Sequence, residues 1–114
     1  MTLKLHPEMI AAGYDYLCQT EPFCYWKLPE SDEIGFSVVR DPKMFADFLV
    51  QNGTPVIRVS AARNGHTDTL MATIAHEMIH LYQELTGDRE THGPRFKKMA
   101  AKVCKAHGFD PAAF

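Results

Sequence analysis

No Cys-x-x-Cys pair occurs in the 114 residues, and the three cysteines, Cys18, Cys24 and Cys104, are an odd number. A disulfide framework and a cysteine-rich zinc ribbon are therefore excluded, and the expectation is small buried thiols in a reducing compartment. No charge-free apolar run approaches the roughly 18 residues a membrane span requires. The opening Met-Thr-Leu-Lys-Leu-His-Pro-Glu also lacks the apolar stretch of a signal peptide. A cytoplasmic protein with no membrane partner is expected. Excess positive charge is missing as well: 12 Lys plus Arg face 14 Asp plus Glu, a net charge of −2 that excludes a globally basic nucleic-acid binder. With no repeat, low-complexity tract or linker, residues 1–114 read as one domain.

What is present is the material of a folded core. Apolar residues make up 46% and charged residues 23%, and seven Phe, four Tyr and one Trp supply bulk. Charge is graded along the chain. Residues 1–57 carry four basic and eight acidic side chains, whereas residues 86–114 carry six and three, so an anionic partner would meet the C-terminal end.

Pro7 can open a first helix with Ile10, Gly13, Tyr14 and Leu17 on its apolar face. The aromatic-rich Phe23–Leu28 reads as a strand, and Ile34–Arg40 as a better one by its β-branched content. Asp41-Pro42 reads as an N-cap and first helical position. Met44, Phe45, Phe48 and Leu49 follow at helical spacing, and Asn52-Gly53 provides a stop. Val56–Ala62 is a second clear strand, and Arg63–Asp68 is a loop. Thr67 or Asp68 can cap a central helix over Thr69–Leu85 that ends at Gly87, with apolar residues around most of its circumference. A final helix starts at Pro94, buries Phe96, Met99, Ala100, Val103, Cys104 and His107 on one face, and stops at Gly108. The expected class is α+β, a small antiparallel sheet packed against helices with a buried active-site helix.

That helix holds His76-Glu77-Met78-Ile79-His80. Residues four apart share a helical face, so both imidazoles can reach one ion with Glu77 beside them. Two histidines and a carboxylate on an apolar helix need partners, and a metal supplies them together. Zinc suits imidazole ligands, and three protein ligands leave a position for water, whose proton an adjacent carboxylate can take. His92, before Gly93-Pro94, is the favoured third ligand, with Glu90 the alternative. Glu84, on the same helix as His80, is poorly placed for that role, and Thr86 stands where a metzincin would have its third histidine. His66 reads as a solvated loop residue, His107 as packing near a helix end, and Tyr82 as a core tyrosine. Lys97, Lys98, Lys102 and Lys105, with Arg95, form a basic outer face that suits solvent or a weak phosphate-backbone contact.

His76-Glu77-Met78-Ile79-His80, an intervening turn and His92-Gly93-Pro94-Arg95-Phe96, after the strand Val56-Ile57-Arg58-Val59-Ser60, resemble the core of the SprT-like (Spartan) zinc metalloproteases. The resemblance covers roughly residues 54–107. It implies His76, His80 and His92 as zinc ligands, Glu77 as general base, and cleavage of protein or peptide substrates. The best-known members act on proteins bound or crosslinked to DNA. Many relatives also carry a C-terminal zinc ribbon or a DNA-binding tail, which these 114 residues do not contain. The class of function left beside a peptidase is a non-catalytic, zinc-stabilised module that docks on DNA or protein through the basic last helix.

Overall fold

Proline fixes φ at a helical value and needs no N–H partner in the first turn. In the computed structural model, which describes residues 4–114, the first helix α1 (Pro7–Cys18) begins at Pro7. It buries Ile10, Tyr14 and Leu17. The Tyr14 hydroxyl donates to the Pro29 carbonyl at 2.6 Å, which anchors the segment after α1. Phe23–Tyr25 forms a single 3-10 turn rather than a strand. Its aromatics serve packing: Phe23 is buried edge-on against Trp26, with ring centroids 5.0 Å apart.

Three strands follow: β1 (Gly35–Val39), β2 (Ala46–Gln51) and β3 (Thr54–Ser60). They lie in the order β1-β3-β2. β1 runs parallel to β3, from Gly35 opposite Val56 to Val39 opposite Ser60. β2 runs antiparallel to β3, from Ala46 opposite Val59 to Gln51 opposite Thr54. The α+β class holds, but the sheet is mixed rather than wholly antiparallel.

The main correction is β2, where the sequence suggested a helix. Asn52 and Gly53 are not a helix stop. Both have positive φ, 49° and 78°, and join β2 to β3 as a two-residue hairpin turn of the kind Asn-Gly favours. Across the hairpin Asp47 stands opposite Arg58, and the guanidinium donates to the carboxylate through Nε at 2.7 Å and again through Nη2. Asp41 caps no helix; its carboxylate accepts from the Lys43 N–H at 2.9 Å in a local turn. Beyond β3, the buried Asn64 amide donates to the carbonyls of Phe45 and Ser60, at 2.9 and 2.8 Å, and ties the loop to the residue before β2 and to the end of β3.

The central helix α2 (Thr67–Thr86) is preceded by His66 at the N-cap position, with no side-chain cap from Thr67 or Asp68. It ends at Gly87, whose φ of 76° reverses the chain. The last helix α3 (Pro94–His107) ends at Gly108 in the same way. α2 touches α1, β2, β3 and α3. Its Ile74, Ala75, Met78, Ile79 and Leu81 are fully buried with Ile57 and Val59 of β3 and Val103 of α3. Large apolar side chains buried this way contribute about 1.5–3 kcal/mol each. Gly13 permits the approach of α1, since a Cβ there would lie 2.8 Å from Ile74 Cδ1 and 3.3 Å from Met71 Sδ. Of the cysteines, Cys104 is buried, Cys18 is half-buried and Cys24 is exposed, so the expectation of buried thiols fails at Cys24. No helix among the described residues is long and apolar enough to cross a membrane.

Candidate metal centre

One turn of α2 separates His76 from His80, and the helical repeat aims both rings at the same side. Their Nε2 atoms are 3.2 Å apart. The Gly87 reversal turns the chain back, and His92 arrives just before α3 with its ring 4.9 Å from that of His80 and 5.6 Å from that of His76. One ligating atom from each of the three lies within 4.8 Å of the others, the only such group of three among the described residues. Phe96, in the first turn of α3, forms the floor. It stacks on His80 at 4.9 Å and meets His76 and His92 at 5.0 and 4.8 Å with its ring inclined to theirs.

The far side of each helical histidine decides where its proton sits. His80 Nδ1 is 2.7 Å from Gln83 Oε1. The orientation of that amide is fixed, because Gln83 Nε2 donates to Asp88 Oδ2 at 3.0 Å and to the Glu90 carbonyl at 3.1 Å. Both partners only accept, so the amide oxygen faces His80, and His80 Nδ1 carries hydrogen. His76 Nδ1 likewise donates to the Phe114 main-chain oxygen at 2.6 Å. The two Nε2 atoms therefore present lone pairs to each other, with no hydrogen between them.

A proton or a metal cation would relieve that repulsion. Burial, reinforced by the neighbouring imidazoles, holds His76 down at about 4. Burial also lowers His80. A proton is therefore disfavoured near neutral pH, and the three imidazoles could hold a cation instead. The spacing fits one, since nitrogen ligands at 2.0–2.1 Å from a tetrahedral ion lie about 3.3 Å apart.

Glu77 and His76 also face a cleft of about 710 Å³, with Leu17, Phe45, Met71 and Phe114 among its apolar walls. Only 5% of Glu77 is exposed. Burial, with a smaller contribution from the charge of Asp47, pushes its carboxyl up to about 8.

Other candidates are placed elsewhere. Tyr82 stacks on Trp26 at 4.6 Å, and His107 bonds Thr20 Oγ1 at 2.9 Å. Glu84 and Glu90 are exposed and outside the histidine group. Sequence reasoning passed over Gln83 and Phe114. For Gln83 a signal exists, a polar residue three positions after His80 on a helix whose other buried positions are mostly apolar. For Phe114 none exists, because its contact with His76 spans 38 residues.

The model of the SprT-like family matches residues 23–113. The chain belongs to the SprT-like family. This family is generally one of metallopeptidase-like domains. The match takes in all three strands, α2 and α3, and so reaches well beyond the motif-bearing segment of this SprT-like chain. No curated protein matches the sequence.

Proposed function

We propose that this SprT-like protein is a single-domain zinc metallopeptidase, with His76, His80 and His92 holding the ion and Glu77 as general base. The observation that carries the reading is the pair of facing Nε2 atoms 3.2 Å apart, joined by a third imidazole. Zinc held there would supply Lewis-acid polarisation of a scissile carbonyl and would make a nearby water easier to ionise. Glu77, at the edge of the cleft, would be kept ionised by the positive charge of a bound ion. It could then take a proton from the attacking water and deliver it to the leaving amine nitrogen. The apolar cleft walls would receive the side chains of the peptide.

The substrate class is protein or peptide. Lys97, Lys98, Lys102, Lys105 and Arg95 are exposed on α3, and this face is proposed as a weak, sequence-independent contact for DNA that carries the substrate. The odd cysteine count without a Cys-x-x-Cys pair supports a cytoplasmic setting.

The test is cleavage of a protein substrate by zinc-loaded protein, with and without single-stranded DNA, alongside Glu77→Gln. The variant should bind zinc as the parent does and lose about 10²–10⁴-fold in rate. Equal rates for variant and parent would remove Glu77 from the mechanism. Bound zinc with no cleavage in either condition would favour a non-catalytic, zinc-stabilised module.

A further inference from the structure

We propose that Gln83 is a positioning residue that sets the tautomer of His80 and fastens the turn carrying His92 to α2. The inference rests on the metal-site reading above. Only 2% of Gln83 is exposed, and its side-chain amide is fully engaged. The oxygen accepts from His80 Nδ1, and the nitrogen donates to the Asp88 carboxylate and the Glu90 carbonyl. One side chain therefore joins a helical ligand to the main chain two residues before the loop ligand.

Asp88 gives this clip its direction. A carboxylate accepts and does not donate, so the amide cannot turn over without losing both of its acceptors. A reversed amide would point N–H at His80 Nδ1, drive the imidazole hydrogen to Nε2 and block the lone pair aimed at His76. Asp88 is itself held in place. Its N–H donates to the Gln83 carbonyl at 2.9 Å, its Oδ1 accepts from the Glu90 N–H at 3.2 Å, and Arg95 Nη1 lies 4.0 Å from its Oδ2.

From Glu90 the constraint passes to His92 through a tight turn. The Gly93 N–H donates to the Glu90 carbonyl at 3.0 Å. A Cβ at Gly93 would fall 2.7 Å from Glu90 Cβ, so the turn closes this far only around glycine. The same Glu90 carbonyl that Gln83 holds thus fixes where the loop ligand begins.

The experiment uses two readouts on the intact chain: zinc affinity by competition with a chromophoric chelator, and the imidazole ¹⁵N spectrum of metal-free protein. Gln83→Met, close in shape but unable to hydrogen-bond, should weaken zinc binding about 10–100-fold and move His80 toward the Nε2–H tautomer. The double variant Gln83→Glu with Asp88→Asn reverses the polarity of the 83–88 bond and keeps an acceptor for His80. It should restore the Nδ1–H tautomer and recover part of the affinity, which a merely structural role would not do. Should Gln83→Met fail to fold by circular dichroism, Asp88→Ala carries the same expectation. Zinc affinity within about twofold of the parent, or an unchanged His80 tautomer in the folded variant, overturns the positioning role while leaving the metal site standing. A parent that binds no zinc overturns both.

Discussion

Glu77 and His76 are adjacent, yet burial drives their protonation in opposite directions, and this governs the metal-free protein. The Glu77 carboxyl rises from an ordinary 4.5 to about 8. Its contribution to stability is complete below 4.5 and is lost as pH rises through 8, because the unfolded chain ionises first. His76 falls from 6.5 to about 4, so its contribution is complete above 6.5 and lost as pH falls through 4. The two slopes cancel between about 4.5 and 6.5, where metal-free protein should be most stable, and Glu77→Gln should abolish the alkaline loss. Melting temperatures in chelator from pH 5 to 9 check this: the parent should decline between about 6.5 and 8 and then level, and the variant should not decline. At this scale the sequence was most legible where chemistry is local. His76 and His80 are bound to share a face by helical spacing, and the Gly93-Pro94 pair marks His92. The hydrogen-bond partners behind the rings depend on chain reversals at Gly87 and on Phe114, which no local pattern encodes.

Among the elements, α2 and α3 follow directly from apolar periodicity closed by glycine, and their ends lie within two residues of expectation. β2 does not. Met44, Phe45, Phe48 and Leu49 satisfy a helical repeat, but the alternating residues of 46–51 also satisfy a strand, and short apolar runs carry both readings. The neighbour decides. β3 offers Ile57 opposite Phe48 and Arg58 opposite Asp47, and the Asn52-Gly53 turn delivers that pairing at once. The parallel direction of β1 is likewise a tertiary outcome. Where α1 meets α2, the test is Gly13→Val. The added methyls would enter the space of Ile74 and Met71, and the expected loss is about 1–3 kcal/mol in urea unfolding. An unchanged midpoint would show that α1 is free to shift outward.

For the whole molecule, core and candidate site share one helix: α2 packs Met78, Ile79 and Leu81 inward while holding His76 and His80 toward α3. Distortion of the core should therefore reach the histidines through Phe96, which lies against all three rings. The three imidazoles nevertheless fall within residues 76–92, one helix end and one turn. A loop this short costs a disordered chain little to close. If zinc is the ion, as proposed, unfolded copies should thus keep some hold on it, and only the difference between the two affinities would stabilise the fold. The expected melting curve climbs with free zinc and then levels, whereas an unbroken logarithmic rise would show that the ion ignores the unfolded chain. A levelled curve would mean that metal capture is a local property of residues 76–92, available to the chain without the sheet.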